Sequence, residues 1–221
     1  FNGKPVIYKG VNIHEHDQKT GHYVTDEVRL KDIELLKKNN FNALRFSHYP
    51  NSHRLYEMCD EYGFYVVSEC NIESHGMGYD FNRTLGNAPI WLDAHIDRTR
   101  NMYERTKNHA CVTFFSLGNE AGNGCNFHKT YRYIKENEVN GQNRPVNYDR
   151  AIMDWTSDML LPKFPTDKYL EEICKKSVDR PVLPSEYSHA MGNSNGNFNR
   201  IWNVIYKCPN VQGGFIWDWV D

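Results

Sequence analysis

Two glutamates stand where apolar, strand-like runs end, and they are the residues best placed to do chemistry. One closes Val112-Thr113-Phe114-Phe115-Ser116-Leu117-Gly118-Asn119-Glu120. The other closes Pro181-Val182-Leu183-Pro184-Ser185-Glu186, and Tyr187-Ser188-His189 follows it. A carboxylate at the mouth of a buried strand is poorly solvated, so its neighbours can tune its ionisation. Two of them facing one cavity are what glycoside cleavage requires: one to protonate the departing oxygen, one to attack or to activate water. Taken singly, each is more ordinarily a salt-bridged strand-end glutamate. The surrounding pattern decides between the two.

Strand-like and helix-like runs alternate along the chain. Residues 6–11, 42–48, 64–67, 112–117, 145–148, 159–161, 182–185 and 211–217 read as strands. Between them lie helical spacings. Leu30, Ile33 and Leu36 follow a Thr25 cap, and Leu55, Met58, Cys59 and Tyr62 precede a Gly63 stop. A helix is expected over about 91–107, another at Phe127, Tyr131 and Ile134, and a third at Tyr169, Leu170, Ile173 and Cys174. The last has Phe198, Ile201, Trp202 and Ile205. Eight strands alternating with helices predict an α/β fold of the (β/α)8 TIM barrel type. A doubly wound sheet fits less well, because no Gly-rich phosphate turn follows the first strand. One catalytic domain over 1–221 is expected. The opening Phe1-Asn2-Gly3 and the final Asp221, with no eighth helix, read as cuts at both ends inside a larger multidomain protein.

Composition narrows the function classes. The chain has 221 residues, 39% of them hydrophobic, a net charge of −2 and a pI near 6.6. No basic stripe argues for nucleic acid, and no apolar run is long enough to cross a membrane. The six cysteines (Cys59, Cys70, Cys111, Cys125, Cys174, Cys208) form no CxxC pair and are expected to be reduced, packed thiols.

In a barrel the active site lies at the C-terminal strand ends. The chemically capable residues gather there: His14 and His16, Arg45 and His48, Glu69, Asn71, Glu73 and His75, Asn119 and Glu120, Glu186 and His189, Trp217 and Asp218. Strand alternation predicts that Val112, Phe114, Ser116, Gly118 and Glu120 share the inward row. The same holds for Val182, Pro184 and Glu186, and for Val67, Glu69, Asn71 and Glu73. From spacing alone, Glu73-x-His75 and His14-Glu15-His16 are both possible metal pairs.

Several runs resemble the bacterial β-galactosidases of glycoside hydrolase family two. They include Gly118-Asn119-Glu120, Glu186-Tyr187-Ser188-His189-Ala190-Met191-Gly192-Asn193-Ser194 and Gly213-Gly214-Phe215-Ile216-Trp217-Asp218. Asn71-Ile72-Glu73-Ser74-His75-Gly76, His14-Glu15-His16 and Ser47-His48-Tyr49-Pro50-Asn51 match as well. The resemblance spans nearly the whole chain in order. It implies a retaining hydrolase of terminal β-D-galactosides, with Glu120 as acid/base and Glu186 as nucleophile. Another β-glycosidase of the family, of glucuronidase or mannosidase type, or a non-catalytic sugar-binding barrel are the alternatives. Asn119, His14, His48 and His189 resemble ligands to sugar hydroxyls, and Trp217 would offer a face to the ring. Glu73, His75 and Glu120 resemble a Mg²⁺ site. The family's Na⁺ draws on residues outside this chain and is not assigned. The resemblance further implies a homo-oligomeric full-length protein, in the cytoplasm or alternatively the periplasm.

One departure stands out. The family carries Pro-x-Tyr after the sixth strand, whereas this chain has Pro162-Lys163-Phe164. A phenol contact near Glu186 would be lost unless Tyr148 or Tyr169 replaces it, so Phe164→Tyr is expected to raise kcat. A competing metal-dependent hydrolase would be built on His14, His16, Glu73 and His75.

Overall fold

The computed structural model describes residues 1–138, 142–176 and 178–220. Six strands form one parallel sheet: β1 (Tyr8–Ile13), β2 (Ala43–Phe46), β3 (Tyr65–Glu69), β4 (Val112–Ser116), β5 (Val146–Asn147) and β6 (Gly213–Ile216). Their order across the sheet is β5-β4-β3-β2-β1-β6. The helices are α1 (Asp26–Lys38), α2 (His53–Tyr62), α3 (Leu92–Thr106), α4 (Cys125–Glu138), α5 (Asp167–Lys175) and α6 (Phe198–Lys207). Parallel strands covered on both faces must be apolar almost throughout, and all of β2 and β4 is buried.

Local chemistry sets the helix ends. The Thr25 hydroxyl accepts from the Val28 N–H, Asp26 and Glu27 occupy the positive end of α1, and Lys37 and Lys38 the negative end. Helix α2 stops at Gly63, whose φ of 70° suits a residue without a Cβ.

The expected sixth and seventh strands are present only as isolated parallel bridges. Leu160 pairs with Val182, Lys163 with Glu186, Val182 with Val211, and Tyr187 with Ile216. The Asp158 N–H also donates to the Val146 carbonyl at 2.8 Å. These bridges lead from β5 to β6. Pro162, Pro165, Pro181 and Pro184 lack the N–H donors that a continuous ladder needs.

Two apolar layers result. Ala43, Val67, Phe114, Met159, Leu161, Leu183 and Phe215 fill the inner side of the sheet, and a larger layer lies between sheet and helices. The expected inward rows are corrected at Val112, Val182 and Asn71. Val112 and Val182 belong to the outer layer, while Leu183 faces inward. The register between β3 and β4 shifts at Val66/Val67, so Thr113 is an extra residue that reverses the alternation before Phe114. Asn71 lies beyond β3 and is exposed.

The cysteine expectation is also corrected. Helices α5 and α6 pack side by side, and Cys174 is disulfide-bonded to Cys208 with Cα atoms 5.7 Å apart. Thirty-four positions separate the two cysteines, so no local spacing signals the pair. Cys59, Cys70, Cys111 and Cys125 are free thiols. No described helix is long and apolar enough to cross a membrane.

Candidate active site

Above the inner apolar layer, β2 delivers a buried cation. Arg45 alternates with Ala43 on the inward face, so its guanidinium rises into the mouth of the sheet. Nε donates to Glu69 Oε2 at 2.8 Å and Nη2 to Glu69 Oε1 at 3.0 Å. Nη1 reaches Glu186 Oε1 at 2.7 Å and Asn12 Oδ1 at 2.9 Å, and Nη2 also reaches Asn119 Oδ1 at 2.9 Å. The planar fork suits this many directed contacts in a way an ammonium does not. Burial alone would raise the Glu69 carboxyl. Arg45, with hydrogen bonds from His48 and Ser116, outweighs that and holds it at about 2. Burial would likewise raise Glu186, yet Arg45 and Lys163 together keep it below the usual carboxylate range.

The turn after β4 aims the second glutamate. Gly118 has a φ of 143°, and a Cβ there would lie 2.5 Å from the Ile72 carbonyl oxygen, so only glycine fits. The Asn119 N–H donates to Ile72 O at 2.8 Å, and Glu73 and Asn119 form a parallel bridge beyond the sheet. Glu120 then adopts a φ of 41°. Its Oε2 lies 2.8 Å from His75 Nδ1, and its Oε1 lies 3.1 Å from Lys163 Nζ.

Lys163 spans the gap. Its Nζ is 3.1 Å from Glu120 Oε1 and 2.8 Å from Glu186 Oε1. One ammonium touching both oxygens holds them no more than about 6 Å apart. That bound on their nearest oxygens is compatible with the roughly 5–5.5 Å carboxyl separation of retaining glycosidases.

The remaining expected residues divide into those the fold gathers and those it leaves apart. His48 donates to Glu69 Oε1 through Nδ1 at 2.7 Å, and its ring stacks on Trp217 with centroids 5.2 Å apart. His14 lies edge-on to both, at 5.5 Å from His48 and 5.2 Å from Trp217. Burial, with His48 and Arg45 nearby, lowers its pKa to about 4. Asn119 joins Arg45 and Lys163 through Oδ1 and Glu73 through Nδ2. His189 is exposed, with its ring 5.4 Å from Phe164.

Glu73, His75 and Glu120 offer ligand atoms that all lie within 4.8 Å of one another. The alternative metal pair does not assemble. Glu15 binds Arg29 and the Ser52 N–H, and His16 packs edge-on against His22. Among the described residues, neither His14 nor His16 joins a metal-competent cluster.

Phe164 meets Glu186 through its backbone. Its ring is 44% exposed, and only its backbone N–H reaches that residue, at the Glu186 carbonyl. Tyr148 does not replace the missing phenol, since its hydroxyl serves Gly122 O and the Ala121 N–H. Tyr169 is exposed. Lys163 supplies the contact instead. Asp149, a buried acid 3.5 Å from Lys163 that accepts from the Glu120 N–H, was equally unmarked in the sequence. Burial raises its pKa against the pull of Lys163.

Comparison with known proteins adds the lineage. The model of the glycosyl hydrolases family 2 TIM barrel domain matches residues 1–221. A beta-galactosidase of Vibrio cholerae is 43% identical over 234 residues, and one of Alteromonas mediterranea is 45% identical over 233. Each alignment covers all of this chain and 22% of the relative, so the chain spans about a fifth of those proteins. Among solved structures, a β-glucuronidase of Ruminococcus gnavus superposes with a TM-score of 0.81 at 22% identity, over 98% of this chain and 44% of that one. A Bifidobacterium dentium β-glucuronidase complexed with coumarin-3-O-glucuronide superposes at 0.74 and 25% identity, over 98% and 41%. With the whole chain matched and the paired carboxylates at its strand ends, this protein belongs to the glycosyl hydrolases of family 2, as their TIM barrel domain.

Proposed function

We propose that the chain is the catalytic domain of a retaining β-galactosidase, with Glu186 as nucleophile and Glu120 as acid/base. The observation that supports this reading is the Lys163 ammonium in contact with both carboxylates, which keeps them at the mouth of one site, as double displacement requires. Glu186 attacks the anomeric carbon while Glu120 protonates the departing oxygen. Glu120 then takes a proton from the water that releases the sugar, and configuration is retained. The relatives named beta-galactosidase, at 42–45% identity, favour galactose over glucuronate. The His14, His48 and Trp217 cluster, with Asn119 and His189, forms the proposed sugar-binding wall. The bridges between β5 and β6 are proposed to complete an eight-stranded barrel.

Glu73, His75 and Glu120 are the residues proposed to hold Mg²⁺. The donor set is oxygen-rich and partly open, which suits a cation that keeps several waters. Around it five acids (Glu69, Glu73, Glu120, Asp149 and Glu186) outnumber Arg45, Lys163 and Arg150, so the site has negative charge to spare. A bound ion would supply fixed positive charge beside Glu120. The full-length protein is proposed to be a homo-oligomer in the cytoplasm. The Cys174–Cys208 bond is the one observation that favours the periplasm instead.

The test uses the full-length protein with aryl β-galactosides and β-glucuronides. Preferred turnover of the galactoside, release of the β-anomer first, and loss of turnover in Glu186→Gln support the reading. Initial release of the α-anomer, or an active Glu186→Gln, overturns it. Chelation is expected to reduce activity without abolishing it.

A further inference from the structure

The mechanism above leaves Lys163 with no chemical task, yet its ammonium touches both proposed catalytic carboxylates. The backbone bridge Lys163–Glu186 ties its segment to that of the nucleophile, and the Phe164 N–H donates to Glu186 O at 2.7 Å. The side chain is largely buried. Its Nζ lies 2.8 Å from Glu186 Oε1, 3.1 Å from Glu120 Oε1 and 3.5 Å from Asp149 Oδ2, and donates to Asn119 Oδ1. Arg45 Nη1 approaches the same Glu186 Oε1 at 2.7 Å. Two cations thus converge on one oxygen of the nucleophile. Among the described residues, both of these cations lie on Oε1 and neither on Oε2.

Accepting Glu186 as the nucleophile, we propose that Lys163 is a positioning residue: with Arg45 it clamps Oε1, leaves Oε2 as the attacking atom, and favours departure of the carboxylate from the covalent intermediate. In the first step the C1–Oε2 bond forms as the bond from C1 to the leaving oxygen breaks, and that oxygen takes its proton from Glu120. In the second, water gives a proton to Glu120 and bonds to C1, and the C1–Oε2 pair returns to Glu186. The carboxylate is anionic before the first step and after the second, and a neutral ester between them. A fixed cation at Oε1 stabilises the anion and not the ester. Lys163 therefore speeds breakdown of the intermediate more than its formation.

The experiment is Lys163→Met in the full-length enzyme, with an aryl galactoside whose leaving group departs readily. Loss of one preorganised donor lowers kcat on the order of 10²-fold. KM falls alongside it, because the galactosyl-enzyme accumulates, and intact-protein mass spectrometry detects the adduct at steady state. Lys163→Arg, which keeps the charge, restores much of kcat. If Lys163→Met does not fold, Lys163→Met with Asp149→Asn removes one of the acids left unpaired and gives the same kinetic signature. Unchanged kcat, or a loss of kcat without a fall in KM and without accumulated adduct, overturns the proposal. The underlying reading is tested separately. A 2-deoxy-2-fluoro-galactoside that labels Glu186 in the unsubstituted enzyme upholds the nucleophile even if Lys163→Met behaves normally, and failure to label Glu186 removes both.

Discussion

Arg45 and Glu69 form a two-point ion pair entirely inside the protein, Nε to Oε2 at 2.8 Å and Nη2 to Oε1 at 3.0 Å, and the same guanidinium reaches Glu186 at 2.7 Å. Structure and chemistry therefore share one side chain. Arg45→Met strands Glu69 without its cation, and breaking a buried pair in this way costs about 3–5 kcal/mol. Arg45→Lys keeps a charge but cannot span Glu69, Glu186 and Asn119 at once. The expected outcome is a large fall in urea midpoint for Arg45→Met, and for Arg45→Lys a smaller fall with kcat still strongly reduced. Equal kcat in Arg45→Lys and the unsubstituted protein would show that the clamp on Glu186 has no catalytic weight.

The same pair sets an acid limit on folding. Glu69 is held at about 2 in the fold, against an ordinary value of 4.5. Between those pH values the unfolded chain takes up a proton that the folded chain does not. Its contribution is complete above about 4.5 and drains away as the pH falls towards 2. The shift corresponds to stability on the order of 3 kcal/mol. Denaturant midpoints measured from pH 6 down to 2 should fall across that window. Glu69→Gln should be less stable at pH 6 and show a shallower fall, and a parallel curve would assign the acid sensitivity elsewhere.

Phe164→Tyr is expected to leave kcat within roughly twofold, a barrier change of about 0.4 kcal/mol or less, since the ring is exposed. The ring is exposed beside His189, and the contact of Phe164 with Glu186 is made by its backbone N–H. A severalfold rise in kcat would mean that the ring turns inward during turnover and that Lys163 yields its place.

The surroundings of Phe164 show where sequence is legible. Glu120 and Glu186 could be found because a charged residue closing an apolar run is conspicuous, and Glu73 with His75 because their spacing suits shared ligation. Arg45 and Glu69 were visible as strand-end residues, but their pairing is a cross-strand relation that no single run contains. Lys163 and Asp149 were hidden for another reason. Lys163 lies between Pro162 and Pro165, where strand alternation is broken, and Asp149 follows a strand of only two residues. Strand order and helix faces came through because helical and strand periods persist over whole elements. The inward row at Val112 did not, because one bulged residue reverses every position before it.

The Cys174–Cys208 bond gives a last test, because it encloses the segment that carries Glu186 and His189. Closing a loop of this length removes unfolded-chain entropy worth about 3–4 kcal/mol. Cys174 is bonded at the end of α5 and Cys208 just beyond α6, so reduction frees that restraint without emptying the core of a large side chain. Unfolded, unreduced protein should yield alkylation of Cys59, Cys70, Cys111 and Cys125 only. Reductant should lower Tm, and Cys174→Ser should lower it by a similar amount and become indifferent to reductant. Alkylation of all six cysteines without reductant would instead return Cys174 and Cys208 to the packed thiols that their sequence spacing suggests.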